Sequence, residues 1–214
     1  MEIRRTANAG VLLKLDGVEI LLDGVCREVK PYSATPPEEK ALLEGKWPDI
    51  IAFTHNHIDH YDPVYAAKYQ EQTNGVVLGP QGLEGASVTD RQLQVGGVKV
   101  TPISSRHIGV AGKTTAHVSF VIEGSQCVWF MGDSAPLQWK NNNLPKPDVI
   151  IAPYAYANTM ASWQMVQSFH PLAVVLLHLP KRDLDTIGLY DSVAAVTNLP
   201  KELIIPDMGQ VIKI

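Results

Sequence analysis

The sequence predicts an α/β fold of two packed, strand-rich sheets flanked by helices. Three observations carry that prediction. Short apolar strands recur in pairs around tight polar turns. Continuous apolar runs, such as Asp49 to Phe53 and Ala173 to Leu177, have the composition of strands buried on both faces. The chain also echoes itself. Val11 to Asp23 reads strand, Asp-Gly turn, strand, aspartate, and Val118 to Asp133 follows the same plan; Pro48-Asp49-Ile50-Ile51-Ala52 is matched later by Pro147-Asp148-Val149-Ile150-Ile151-Ala152. Two similar halves, each strand-rich and then strand–helix, stack as two sheets with helices outside.

In chain order, Val11 to Leu15 and Val18 to Leu22 form a hairpin across Asp16-Gly17. Pro31 to Pro37 is a loop with three prolines, and Glu38 to Leu43 is a short helix ended by Gly45. Asp49 to Phe53 is a buried strand, Pro63 to Gln72 a helix and Gly75 to Leu78 a strand. Leu93 to Ile103 is a second hairpin turning at Gly96-Gly97. Val118 to Ile122 and Cys127 to Met131 make a third, turning at Glu123-Gly124-Ser125. Asp148 to Ala152 is a strand, Asn158 to Phe169 a helix, Ala173 to Leu177 a strand and Thr186 to Thr197 a helix. Glu202 to Ile205 and Val211 to Ile214 close the chain as strands.

The 214 residues read as one domain, 1–214, and a 45% hydrophobic content supplies a large core. Only 19% of residues are charged, with no like-charge block, which excludes a disordered chain. With 18 Lys and Arg against 22 Asp and Glu the net charge is −4, which argues against a surface that holds nucleic acid by basic charge. Apolar stretches such as Leu172 to Leu177 are too short to span a bilayer, and Arg4 and Arg5 are not followed by the apolar run of a signal peptide. Cys26 and Cys127, 101 positions apart, make neither a metal-type pair nor a disulfide framework. A cytoplasmic, enzyme-sized globule is expected.

Histidine placement carries the chemistry. Of seven histidines, three fall in His55-Asn56-His57-Ile58-Asp59-His60, directly after the strand Asp49 to Phe53. In extended chain, residues two apart point the same way, so His55 and His57 can grip one ion while Asp59 and His60 reach a second. Imidazole and carboxylate suit zinc, iron or manganese. Further donors follow other apolar strands: His107 after Val98 to Ile103, Asp133 after Val128 to Met131, and His178 after Ala173 to Leu177. Strand C-termini are where sites collect in open α/β folds. Together these three supply one histidine to each ion and a carboxylate between them.

This pattern resembles the metallo-β-lactamase fold superfamily of metal-dependent hydrolases, along essentially the whole chain. The H-x-H-x-D-H signature is His55, His57, Asp59 and His60; the glycine–aspartate motif is Gly132-Asp133. The hairpin ending Ile20-Leu21-Leu22-Asp23 and the pair Asp133-Ser134 are similar to the compact bacterial branch that includes L-ascorbate-6-phosphate lactonase. The resemblance implies a four-layer αββα sandwich and two divalent metal ions, zinc first, with manganese, iron or nickel also suited. His55, His57 and His107 would hold the first ion, Asp59, His60 and His178 the second, and Asp133 would bridge them. A metal-bridged hydroxide would be the nucleophile, because a metal lowers the pKa of its water from about 15.7 to about 7. Neither cysteine falls at a ligand position. No insertion provides the arm of transfer-RNA-processing relatives, and no flavin domain follows as in oxygen-reducing diiron relatives.

Asp59 and His117 are the candidate catalytic residues. His117 precedes the strand Val118 to Ile122, beside the loop Gly109 to Ala116, and reads either as a group facing the site or as a surface-loop histidine. His170, before Pro171, reads as a cation at a helix end. Asp23 reads equally as an acceptor that orients a ligand histidine or as a turn residue. Tyr154, Tyr156 and Trp163 read as packing. Two divalent ions set against Asp59, Asp133 and a hydroxide leave a centre of about +1, which favours a small anionic ester, lactone or phosphodiester over a long polyanion. The competing reading is a metal-binding redox or sensor protein without hydrolytic turnover. Membrane partners are not expected.

Overall fold

The computed structural model describes residues 1–109, 114–140 and 142–214. Six strands and two helices come first: β1 (Glu2–Arg5), β2 (Val11–Leu15), β3 (Val18–Leu22), α1 (Pro37–Gly45), β4 (Ile50–Ala52), α2 (Pro63–Thr73), β5 (Val77–Leu78) and β6 (Val88–Thr89). Then follow β7 (Leu93–Val95), β8 (Val98–Arg106), β9 (Ala116–Glu123), β10 (Cys127–Phe130), β11 (Val149–Pro153), α3 (Met160–Ser168), β12 (Ala173–Leu177), α4 (Leu189–Thr197), β13 (Leu203–Ile204) and β14 (Val211–Lys213).

The strands form two seven-stranded sheets, ordered β14-β1-β2-β3-β4-β5-β6 and β13-β12-β11-β10-β9-β8-β7. The internal echo is a repeat of topology. In the first sheet β1, β2 and β3 pair antiparallel, then β3 to β6 pair parallel; in the second, β8, β9 and β10 pair antiparallel, then β10 to β13 pair parallel. The first hairpin turns as read, with Asp16 and Gly17 both at positive φ (51° and 86°), the geometry that matches strand twist.

Period-2 alternation assigns the faces. Val118, Phe120 and Ile122 of β9 point between the sheets and pack with Leu13, Ile20, Ile50, Val128 and Ile151. The odd face of the same strand, through Val121, joins Trp129, Trp163, Val166 and Val193 under α3 and α4. On the other side Leu21, Ile51 and Phe53 pack against Leu43 of α1 and Tyr65 and Tyr69 of α2. The layers are therefore helix, sheet, sheet, helix, the αββα order expected. Each such aliphatic side chain, once buried, contributes about 1.5–3 kcal/mol.

Several elements differ from the sequence reading. β1 and β6 were not foreseen: β1 carries a single apolar residue, Ile3, and β6 is two half-buried residues at a sheet edge. β14, read as a closing strand, pairs antiparallel with β1. α4 starts at Leu189, later than Thr186, because Asp185 accepts from the N–H groups of Leu189 (2.9 Å) and Tyr190 (3.0 Å) and so sets the start of the helix. His117 lies inside β9, opposite Ser105 of β8, and is buried; it is not a surface-loop residue. Of the loop 109–116, residues 110–113 lie outside the described residues.

Candidate metal centre

The seven ligand-type residues converge at one end of the sandwich. β4 delivers Thr54 to His60, β8 delivers His107, β10 delivers Asp133 and β12 delivers His178. The rings of His55, His57 and His107 lie 4.4 to 4.8 Å apart between centroids, and their donor atoms fall within 4.8 Å of one another. Asp59, His60 and His178 form a second group within the same limit. Asp133 Oδ2 stands between, 3.5 Å from His60 Nε2, 3.5 Å from His178 Nε2 and 3.7 Å from His107 Nε2.

Local backbone geometry makes this convergence. Gly132 sits at φ 50°, and a Cβ there would meet the Thr54 side chain at 2.5 Å, so only glycine lets the Asp133 turn approach the signature loop. The His107 segment docks on the same turn through Ile108 N–H to Asp133 O (2.7 Å). His178 takes a positive φ of 63°, and its N–H donates to Asn8 O. The Asn8 loop is in turn fastened by Arg5, buried without a carboxylate partner among the described residues, whose guanidinium donates to the carbonyls of Ala7, Asn8, Leu179 and Pro206.

Hydrogen bonds fix the imidazole tautomers, an assignment that follows from the acceptors present. Asp23, fully buried, accepts from Thr54 N–H (2.7 Å), Thr54 O–H (2.6 Å) and His60 Nδ1–H (2.8 Å). Burial pushes the Asp23 carboxyl up, and these three donors hold it as an acceptor. Since Thr54 spends its proton on Asp23, its oxygen accepts from His55 Nδ1–H (2.9 Å). His107 Nδ1–H donates to Ile108 O (2.7 Å). Each Nδ1 thus carries a proton, which leaves each Nε2 as the position for a cation or a second proton. The Nε2 atoms of His55, His60, His107, His117 and His178, and Asp133 Oδ1, are buried with no hydrogen-bond partner among the described residues.

Such a cluster suits a metal cation. Bare buried lone pairs are costly unless a cation or donor meets them. His178 Nε2 and Asp59 Oδ2 lie 3.2 Å apart without hydrogen-bond alignment, and the Asp133 contacts run to 3.7 Å. Two donors about 2.1 Å from a shared tetrahedral ion stand about 3.4 Å apart, so these spacings fit. Burial would raise the Asp133 pKa, but His178 and His60 beside it outweigh burial and hold the carboxylate well below its ordinary range. Asp59 is lowered as well: burial raises it, and the contact with His178 prevails. Burial pushes His55 well below the ordinary histidine value, neutral as a ligand requires, and pushes His117 down to about 3. His60 is pulled up well above it, against burial, by Asp133 and Asp23, so a cation there competes with a proton.

Asp23 therefore takes the orienting role of its two sequence readings. Although it groups with His55 and His60, its oxygens are already filled by donors. Were two divalent ions and a hydroxide held there, counting Asp23 with Asp59 and Asp133 would bring the centre from about +1 to about 0. His170 is exposed at the end of α3, and neither cysteine enters a donor group. Tyr156 is buried and bonds Ser134 Oγ (2.6 Å), while Trp163 packs from α3 into the buried cluster on the second sheet. Tyr154 instead faces His178, at 6.3 Å between ring centroids. Sequence reasoning missed Tyr32, whose ring meets His178 edge-on at 4.4 Å, and Arg5, Asn8 and Thr54; only the position of Thr54 beside His55 offered a signal.

The fold and this centre define a metallo-β-lactamase-type protein. Residues 2–178 match the family described as Beta-lactamase superfamily domain, and the chain belongs to that family. No curated protein matches it. Among solved structures it is similar to a possible metal-dependent hydrolase from Veillonella parvula, at 16% identity and TM-score 0.71, over 100% of this chain and 99% of the other. Igni18, a metallo hydrolase from Ignicoccus hospitalis, matches at 16% identity and TM-score 0.68, over 99% of this chain and 97% of the other. CmlA, a diiron β-hydroxylase from Streptomyces venezuelae, matches at 14% identity and TM-score 0.68, over 100% of this chain and 54% of the other.

Proposed function

We propose that the chain is a cytoplasmic hydrolase that holds two divalent cations, zinc first among them, and cleaves a small anionic ester, lactone or phosphodiester. The observation that carries this reading is the convergence of buried, unpartnered Nε2 atoms with Asp59 and Asp133. His55, His57 and His107 would hold one cation, Asp59, His60 and His178 the other, with Asp133 between. When bound, such cations make water a nucleophile at neutral pH and polarise the scissile oxygen. The protein's own contribution is preorganisation. Asp23, Thr54 and Ile108 O fix the Nε2 lone pairs, and Asp59, kept ionised, is the carboxylate proposed to take the proton of the attacking water. With its carboxylates nearly balancing two cations, and no basic run in the sequence, the centre suits a compact substrate with one anionic group.

Chain supplemented with zinc and manganese should carry more than one metal equivalent, and Asp133→Ala should lose metal chiefly from the second position and abolish turnover of a phosphodiester or phosphorylated-lactone panel. Elemental analysis showing no metal under saturating supply would remove the proposal. The likeness to a diiron hydroxylase keeps a second reading open, a redox or sensor protein. Metal uptake with iron-dependent oxygen consumption and no hydrolysis across the panel would favour it.

A further inference from the structure

His117 stands apart from both donor groups. Its Nε2 is buried and unpartnered among the described residues, its ring lies 5.1 Å from that of His55 and 5.7 Å from that of His107, and neither donor group includes it. Its other nitrogen is tied to a relay: His117 Nδ1 to Ser105 Oγ (2.7 Å), Ser105 Oγ to Ser119 Oγ (3.1 Å) and Ser119 Oγ to Met131 O (2.9 Å). Only one assignment of protons satisfies all three contacts. A carbonyl cannot donate, so Ser119 gives its only proton to Met131 O. Ser105 must then donate to Ser119, and its oxygen must accept from His117 Nδ1–H. The relay therefore leaves a lone pair, not an N–H, on Nε2 of a neutral ring that lies beside His55 and His107.

A buried acceptor held in this way needs a donor. We propose that His117 Nε2 accepts a hydrogen bond from the molecule held at the centre, and so selects substrates that carry an O–H or N–H beside the group the cations hold. This deepens the proposed function and rests on it. A site built around a hydrogen-bonding group discriminates against look-alikes that cannot complete the bond. Inorganic phosphate and sulfate make the comparison: both are tetrahedral anions, but at neutral pH only phosphate retains an O–H.

The test uses the cobalt-loaded full chain, with phosphate and sulfate titrated by the visible absorption of the metal. His117→Phe keeps a ring and removes the lone pair. It should weaken phosphate about five- to tenfold while leaving sulfate and cobalt content unchanged. Ser105→Ala, at a half-buried position, leaves the imidazole but unpins its tautomer, and should shrink the phosphate preference as well; it decides the matter if His117→Phe does not fold. A ratio unchanged in these variants with cobalt retained, or a loaded wild type that binds no phosphate, overturns the inference and leaves the metal centre standing. A chain that takes up no cobalt overturns the proposed function itself.

Discussion

Asp23→Asn alters one atom and reaches both metal positions. The Asp23 carboxylate meets three donors: Thr54 N–H on Oδ1, and Thr54 O–H and His60 Nδ1–H on Oδ2. An amide keeps only one oxygen. With its NH₂ on the Oδ1 side it confronts the Thr54 N–H, which cannot turn away. On the Oδ2 side it faces a hydroxyl, which can rotate, and an imidazole, which can move its proton to Nε2. That second arrangement costs least, and it removes the His60 lone pair. Thr54, turned around, also stops accepting in a fixed way from His55 Nδ1. Loss of a partner that orients a ligand typically lowers metal affinity 10- to 100-fold, about 1.4–2.7 kcal/mol. Zinc titration of apo-protein against a chromophoric chelator resolves the two affinities. We expect the weaker position to fall by that amount and the tighter one to fall less. Affinities within twofold of wild type, in a variant with unchanged circular dichroism, would refute the assigned tautomers.

Stability against pH reports on His117. Its folded value near 3 lies below the unfolded value near 6.5, so between these the unfolded chain binds the extra proton. Stability from this group is whole above pH 6.5 and is lost as pH falls toward 3, at up to about 1.4 kcal/mol per pH unit. Urea unfolding of chelator-treated His117→Gln should therefore lose stability less steeply between pH 6.5 and 5 than wild type; parallel slopes would contradict the burial argument. Arg5→Leu strips its hydrogen bonds from four backbone carbonyls and should cost about 3 kcal/mol or more, read from the urea midpoint, whereas a loss under 1 kcal/mol would show that the clamp is not structural.

The frame was legible because its signals are local. The Asp16-Gly17 turn, the all-apolar β11 and β12 and the histidine-rich loop after β4 each declare themselves within ten residues. Gly132 and Asp133 were readable as a pair, but the contact with Thr54 that demands the glycine joins positions nearly 80 apart. Residues acting at a distance stayed hidden. Arg5 reads as a surface charge until its four carbonyl partners, up to 201 positions away, are in place. Likewise, the proton order at His117 depends on Ser119 two residues on, but also on Ser105 of β8 and Met131 at the end of β10, which no periodicity connects. Asp23 stayed ambiguous for the same reason: its partner His60 is 37 positions on.

Thr54 lies where these connections cross. Its N–H and O–H hold Asp23, its oxygen sets His55, its carbonyl receives Val118 N–H (2.9 Å) beside His117, and its methyl lies against Gly132. Whatever orders this one side chain orders a donor in each triad at once. A disturbance of this side chain is therefore felt at both positions together. Thr54→Val, which keeps the methyl and removes the hydroxyl, should weaken both zinc affinities rather than one, and a chelator competition would show the loss at both steps of the titration; a loss at one step alone would show that the two triads are ordered independently.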